Sequence, residues 1–498
     1  MPKSFMPALS RREFLAAAAA ALPAIRFAGA QEATRPPNVV LILVDDLGWR
    51  DLGCYGRGDV FETPNIDRLA TQGIRFTQAY ANCPVCSPSR AALLTGKDPA
   101  RLHFTGHITA IGKHRYPDDS RIIPPDDYMY LRHEEVTLAE ALKPAGYVSA
   151  SIGKWHLGEQ GFWPEDHGFD VNVAGWTHGS PPSYFDPYEK PGQEWNPSIP
   201  TLASREPGEY LTDRLTDESI AFIEKNRDNP FFLYLSYYAV HTPLQAPAEL
   251  VEKYTKKFEG RDTGVDPTYA AMVEKVDDNV GRVLETLDRL DLAEDTIVVF
   301  FSDNGGEEDA TTNAPLRESK SWVYEGGIRV PLILRWPGHV AAGATCEEPV
   351  IGTDLFPTLV NAAGLGPVST DDLDGVDLAP VLDGSGKLDE RSLFWYYPHY
   401  SKSKQPGAAV RRGDWKFVEF YDPHRIELYN LAHDPGESAC LARANMDVVV
   451  ELKDALLSHL ARVDAMKFTF RKEQINHLTI EGKDSRWTGK FGDRVSGD

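Results

Sequence analysis

Two residue pairs that carry carboxylates in this chain each follow an apolar run. Asp45-Asp46 comes directly after Asn38 to Val44 (N-V-V-L-I-L-V), and Asp303-Asn304 after T-I-V-V-F-F-S. Three carboxylates and an amide oxygen are hard donors, suited to Ca²⁺ or Mg²⁺ rather than zinc. One such pair is ordinarily just solvated, but two at the carboxyl edge of one parallel sheet would meet where ligands bind. Cationic and acid–base groups recur in the same setting. Lys154 and His156, in G-K-W-H-L-G, stand two apart after the run Val148 to Ile152, so both can project into one cleft. His241, in A-V-H-T-P-L, follows Phe231 to Tyr237, and Lys320 lies in P-L-R-E-S-K-S-W-V-Y-E-G-G-I-R-V-P. A thiol and a guanidinium, Cys86 and Arg90, come from C-S-P-S-R-A-A-L-L-T-G-K, Cys86 to Lys97. Taken plainly, that stretch starts a helix with Ser87 as cap, Pro88 at the first helical position and Ala91 to Leu94 running into the core. Free N–H groups at such a helix start suit an anion. Cys83-Pro84-Val85-Cys86 is also a C-x-x-C of redox spacing. A redox pair, however, has no use for P-S-R and L-T-G-K downstream.

The string from Cys86 to Lys97 resembles the signature of the type I sulfatases, whose cysteine is oxidised to formylglycine. G-K-W-H-L-G is similar to that family's second motif, and the D-D and D-N-G segments to its metal ligands. The resemblance runs in order from about Pro37 to Gly364 and implies an alkaline-phosphatase-like fold. It implies that Cys86 is the precursor of the nucleophile, and that a formylglycine-generating or sulfatase-maturing enzyme reads Pro88, Ser89 and Arg90. Calcium, with magnesium as the alternative, would be held by Asp45, Asp46, Asp303, Asn304 and residue 86. Lys154 and Arg90 would hold the sulfate, His156 would contact the formylglycine, and His241 and Lys320 would lie by the leaving-group oxygen. Family members often have glycines where Glu318 and Ser319 stand, which leaves Lys320 resting on an ungapped alignment. The implied chemistry is attack of an aldehyde hydrate hydroxyl on sulfur, then collapse of the sulfated enzyme as His156 takes the second hydroxyl's proton.

Further apolar runs at Ile297 to Phe301 and Val330 to Leu334 are, like the others, continuous rather than alternating, as in strands buried on both faces of a parallel sheet. Helical patterns separate them at Pro64 to Gly73, Thr137 to Ala145, Leu211 to Asn226, Tyr269 to Leu290 and Asp354 to Ala363. The fold class expected is therefore α/β, a large doubly wound, mostly parallel sheet flanked by helices over residues 37–364. Residues 365–390, rich in Gly, Asp and Pro, read as a linker or surface excursion. Residues 391–498 read as a smaller C-terminal α+β domain, with strands at Ala408 to Val418 and Arg425 to Tyr429 and an amphipathic helix at Met446 to Val463.

Residues 1–30 carry S-R-R-E-F-L from Ser10, a short alanine-rich apolar run and Ala28-Gly29-Ala30, which resembles a twin-arginine export signal. The run is shorter than the roughly 20 residues a membrane span needs, and no later segment reaches that length. The twin-arginine export machinery is the partner implied, and a periplasmic or secreted location. Cys54, Cys83, Cys346 and Cys440 remain once Cys86 is consumed, with three pairings open. The formal net charge is −22, or about −25 once the +3 of residues 1–30 is removed. Such a charge repels polyanions and argues against nucleic acid.

These readings converge on an exported sulfatase that hydrolyses a sulfate monoester of a small molecule or glycan. A carbohydrate sulfate, a galactose or N-acetylgalactosamine unit, is the expected substrate, with aryl sulfates as models. The rivals are a phosphonate or phosphate ester hydrolase on the same scaffold, and an inactive sugar-binding relative. Arg101 to Ile111 and Trp176 to Tyr188 are expected to rim the pocket, with His103, His107, His178 and His399 as candidate sugar contacts.

Overall fold

The run Asn38–Val44 forms a strand buried along its whole length, and its alternating side chains enter two separate cores. Val40, Ile42 and Val44 pack on one face with residues of the helices Leu211–Asn226 and Pro267–Arg289. Val39, Leu41 and Leu43 pack on the other with residues of the helices Cys86–Thr95 and Leu355–Ala362. Each such side chain contributes about 1.5–3 kcal/mol on burial, so an uninterrupted apolar run is what a strand covered on both faces requires. The computed structural model describes residues 35–109, 116–366, 372–401 and 404–471, with the short strands Thr479–Ile480 and Lys483–Asp484. The expected export signal, residues 110–111 of the first expected rim and residues 367–371 of the expected linker lie outside the described residues.

Asn38–Val44 sits centrally in a nine-stranded sheet. Across the sheet the order is Val350–Ile351, Ile74–Tyr80, Arg329–Arg335, Thr296–Ser302, Asn38–Val44, Phe231–Ser236, Val148–Gly153 and Val171–Val173, with Ala344–Cys346 also paired to Ile74–Tyr80. Five adjacent strands, Thr296–Ser302 to Val171–Val173 in that order, are parallel. Arg329–Arg335, expected in the same orientation, instead runs antiparallel to both neighbours, so the sheet is mixed. A strand buried on both faces has the same composition in either direction, which is why its run did not reveal this.

A second sheet of six strands follows, in which Ser392–Tyr397, Gly407–Arg412, Trp415–Tyr421 and His424–Asn430 pair antiparallel in succession. The single strand expected over Ala408 to Val418 is in fact a hairpin that turns at Gly413 and Asp414. Helix Met446–Arg462 packs Val449, Leu452 and Leu456 on one face of this sheet. The other face joins Tyr80, Val323, Tyr324 and Ile328 of the large sheet region through Trp395, Val418 and Phe420. Charge is buried at this junction too: Lys416 Nζ lies 2.9 Å from Glu325 Oε1 and 2.8 Å from Glu437 Oε1.

The described part of 365–390 is not a free excursion. Leu373, Leu378 and Leu382 enter the core, and Asp374 accepts from Arg101 Nε at 2.7 Å and Nη2 at 2.8 Å.

Candidate active site

The register of four of these parallel strands, Thr296–Ser302 to Val148–Gly153, brings their carboxyl ends level. Val44 faces Ser302, while Leu43 and Gly153 both face Ser236. The residues that follow, Asp45-Asp46, Asp303-Asn304 and Lys154, therefore converge although far apart in sequence. Two of the turns need unusual backbone. Asp46 and His156 hold φ of 60° and 58°, a left-handed conformation that costs side-chain-bearing residues on the order of 1–3 kcal/mol. Gly153, at φ 108°, leaves no room for a Cβ, which would stand 1.9 Å from the Ser236 carbonyl oxygen.

Cys86 opens the helix Cys86–Thr95, whose residues are all buried. The helix begins one residue before the expected cap. Val85 takes the capping position without a side-chain hydrogen bond, and the Ser87 hydroxyl accepts from the Ile108 amide at 3.1 Å instead. Gly96, at φ 69°, ends the helix and donates to Ala92 O at 2.8 Å. Ser89 is turned back on the loop before it, accepting from the Cys83 amide at 3.0 Å and donating to the Cys83 carbonyl at 2.8 Å. No disulfide forms among the described residues, and all five thiols are free.

Ligand atoms of Cys86, Asp45 and Asp303 lie within 4.8 Å of one another, as do those of Cys86, Asp46 and His241. Arg90, wholly buried, forks onto Asp303 through Nε at 2.9 Å and Nη2 at 2.7 Å, and its Nη1 donates to the Lys154 carbonyl at 3.0 Å and to the Ser236 hydroxyl. Lys154 Nζ donates to Asp45 Oδ2 at 2.6 Å and Lys320 Nζ to Asp46 Oδ2 at 2.7 Å. Asn304 Nδ2 donates to Asp46 Oδ1 at 2.7 Å. Asp45 Oδ1 and Asn304 Oδ1 are buried and accept no hydrogen bond from the protein. Buried oxygens in that state call for a donor or a cation. With three carboxylates and an amide carbonyl, this donor set fits a hard divalent ion.

The charges shift one another's protonation. Burial raises the Asp45 carboxyl well above its ordinary range, reinforced by Asp303 and Asp46 against the pull of Lys154. Burial acts the same way on Asp46 and Asp303, but Lys320 and His241 around the first, and Arg90 and Lys154 around the second, bring both below it. Burial pushes the Cys86 thiol up to about 11, so its sulfur is protonated at neutral pH. Burial would lower Lys320, yet Asp46 above all holds it well above the lysine value, as a cation.

Both histidines are neutral. Burial and the Lys320 charge bring His241 down to about 3, and burial with the Lys154 charge holds His156 well below its ordinary value. His241 Nδ1 lies 2.7 Å from the Thr242 carbonyl, which assigns its proton to Nδ1 and leaves Nε2, 3.7 Å from Asp46 Oδ2, as an acceptor. His156 Nε2 lies 3.2 Å from the Ile108 carbonyl, which leaves Nδ1 as a buried acceptor with no protein donor. The His156 amide donates to Trp176 O at 3.0 Å, and a Cβ on Gly179 would reach within 2.4 Å of the imidazole.

The structure thus brings Asp45, Asp46, Cys86, Arg90, Lys154, His241, Asp303, Asn304 and Lys320 into one contact network, with His156 two residues from Lys154. Ser236 and Gly179 escaped the sequence reading, since a strand-end serine and a loop glycine carry no motif of their own. Among the candidate sugar contacts, His399 is ruled out. It is fully buried, with Nε2 2.8 Å from the Thr105 hydroxyl and 3.5 Å from Asp127. His103 turns its Nε2 to the Asp464 carbonyl at 2.8 Å, whereas His178 stacks edge-on between Trp176 and Trp195.

Comparison with known proteins agrees with this geometry. Residues 37–365 match the family model described as Sulfatase, and residues 318–463 the model described as N-sulphoglucosamine sulphohydrolase, C-terminal. Human N-acetylgalactosamine-6-sulfatase is 39% identical over 390 residues, covering 74% of this chain and 70% of that protein. Human arylsulfatase A is 35% identical over 489 residues, covering 89% and 90%. Among solved structures, Ps i-CgsB in complex with k-i-k-neocarrahexaose superposes with a TM-score of 0.73 at 29% identity, covering 86% of this chain and 93% of that one. The chain belongs to the sulfatase family of the alkaline phosphatase superfamily, and it is a sulfuric ester hydrolase.

Proposed function

We propose that this enzyme hydrolyses a sulfate monoester of a carbohydrate, releasing the sugar alcohol and inorganic sulfate. The observation that carries the reading is the position of residue 86. It opens a buried helix with an uncapped N-terminus, within ligand distance of Asp45, Asp46, Asp303 and His241, and beside the cations Arg90, Lys154 and Lys320. A carbohydrate substrate is supported by the names of relatives, an N-acetylgalactosamine-6-sulfatase and a structure solved with a neocarrahexaose. A galactose or N-acetylgalactosamine sulfate is the unit we favour.

Residue 86 as formylglycine would supply the hydrated aldehyde that acts as nucleophile, and Ca²⁺, which Asp45, Asp46, Asp303 and Asn304 would hold, would supply charge that favours ionised oxygen. The rest falls to the chain's own side chains. Arg90 and Lys154 stabilise the anion in a site whose dipoles are already oriented. His156, neutral with a free Nδ1, accepts a proton. Lys320 stays cationic and stabilises charge on the leaving oxygen, a role better suited to it than to His241, which holds no proton on Nε2 at neutral pH.

We further propose export by the twin-arginine route after modification of residue 86 in the cytoplasm, with the chain divided at 1–30, 37–364, 365–390 and 391–498. Replacing Arg11 and Arg12 by Lys should strand matured, active enzyme inside the cell; stranded but unmodified protein would contradict that order.

The test of function is sulfate release from a panel of defined sulfated sugars, beside 4-nitrophenyl sulfate and 4-nitrophenyl phosphate, with peptide mass spectrometry of residue 86. Activity with an unaltered cysteine, or faster hydrolysis of the phosphate ester, would overturn the reading.

A further inference from the structure

The backbone around Lys320 is irregular. Glu318 and Ser321, on either side, hold φ of 60° and 72°. Neither is glycine, so the turn costs free energy and holds its shape only where its surroundings impose it. Two main-chain contacts do so: the Lys320 amide donates to Gly306 O at 3.1 Å and the Ser321 amide to Pro84 O at 2.8 Å. A third contact comes from outside the large sheet. Lys404 lies between Ser392–Tyr397 and Gly407–Arg412, in the first hairpin of the smaller sheet, and its side chain reaches the same turn. Its Nζ donates to the Lys320 carbonyl at 2.8 Å and to the Ser319 hydroxyl at 3.2 Å, and lies 3.4 Å from Glu308 Oε2. Lys404 is only 3% exposed.

A lysine is an expensive group to bury, and a salt bridge to the half-exposed Glu308 offsets little of that cost. An apolar residue of similar length would fill the space more cheaply but could not grip a carbonyl. We propose that Lys404 is a positioning residue for Lys320: by tying the Lys320 carbonyl to the smaller sheet, it fixes the path of the main chain from which the Lys320 side chain reaches Asp46 and the leaving-group oxygen. The inference rests on the role given to Lys320 above, and it makes the C-terminal sheet part of the catalytic apparatus.

The experiment uses the matured full-length enzyme and two aryl sulfates, 4-nitrophenyl sulfate, whose phenoxide leaves easily, and 4-methoxyphenyl sulfate, whose phenoxide leaves poorly. A misplaced leaving-group cation costs more on the second. K404M should lower kcat about tenfold with 4-methoxyphenyl sulfate and less than about threefold with 4-nitrophenyl sulfate, with KM unchanged. K404R, which keeps a donor, should recover part of the loss. Equal losses on both substrates, or no loss on either, would overturn the inference. Should K404M fail to fold, K404Q, which stays polar but is one bond shorter and so loses the reach to the Lys320 carbonyl, is judged by the same criterion. Lys320→Ala on the same pair separates the two levels. Without leaving-group dependence there, the role of Lys320 itself falls; with it there but not in K404M, only the role of Lys404 falls.

Discussion

Arg90 and Asp303 form a wholly buried, forked ion pair, with Nε and Nη2 both on Oδ2 at 2.9 and 2.7 Å. The same guanidinium reaches the Lys154 carbonyl and the Ser236 hydroxyl, so one planar group ties together the ends of three strands. Lysine keeps the charge and loses the fork. Arg90→Lys should therefore lower kcat/KM about a hundredfold and destabilise the fold by about 3 kcal/mol, since it leaves buried acceptors without donors. Mass spectrometry must first show equal modification of residue 86, because Arg90 also lies in the stretch that the proposed maturing enzyme would read. A variant equal to wild type in both activity and urea midpoint would refute the structural role.

Asp45 Oδ1 and Asn304 Oδ1, both without a protein donor, make a separate claim. Chelation should abolish activity and lower the melting temperature, and Ca²⁺ should restore both better than Mg²⁺, because the pocket supplies several oxygens and no fixed octahedron. Asn304→Ala should raise the Ca²⁺ concentration needed for restoration about tenfold or more. Full activity after exhaustive chelation, with no metal found by elemental analysis, would exclude a metal at these residues.

A methyl group at residue 179 should test whether the placement of His156 matters. The Cβ of Gly179→Ala would stand 2.4 Å from Cε1 and 2.5 Å from Nδ1 of His156, so the ring must move. We expect kcat to fall at least about tenfold while the melting temperature changes by no more than a few degrees, since the site lies in a loop. Unchanged kcat would show that His156 tolerates displacement.

Away from the active site, Glu419 gives the fold a defined acid limit. Burial alone would raise its carboxyl, but the hydrogen bond from His424 and the charge of Lys453, each 2.8 Å away, bring it from 4.5 down to about 2. A carboxyl depressed by folding adds stability above its unfolded value, and that stability drains away as pH falls from 4.5 towards 2, on the order of 3 kcal/mol in all. Glu419→Gln should lose this at pH 7 and flatten the stability profile below 4.5 in urea titrations. Parallel acid limbs for variant and wild type would assign the acid sensitivity elsewhere.

How legible this molecule is from its sequence depends on the kind of contact. Asn38–Val44 and Leu211–Asn226 match their sequence patterns to the residue, because long buried runs and amphipathic periods are local properties. Ile74–Tyr80 escaped notice because Arg75, Thr77 and Gln78 interrupt it, being only half-buried. The site was legible wherever a motif marked it, and the pairings within it were not. Nothing local to Lys154 announces Asp45, 109 residues away, and nothing in the polar run Ser401 to Gln405 announces that Lys404 grips the Lys320 carbonyl.

Burial of the entire helix Cys86–Thr95 also constrains the timing of biogenesis. In the finished structure residue 86 is 4% exposed, so the modification proposed for it would have to precede docking of that helix. Full docking waits on distant chain, because Asp303, the nearer of the two carboxylates that Arg90 meets, comes 213 residues after it, while Asp45, 3.7 Å away, precedes it. The interval between translation of residue 97 and translation of residue 303 is thus a window in which the motif stays readable. Slower elongation or cooler growth should enlarge the matured fraction of the enzyme.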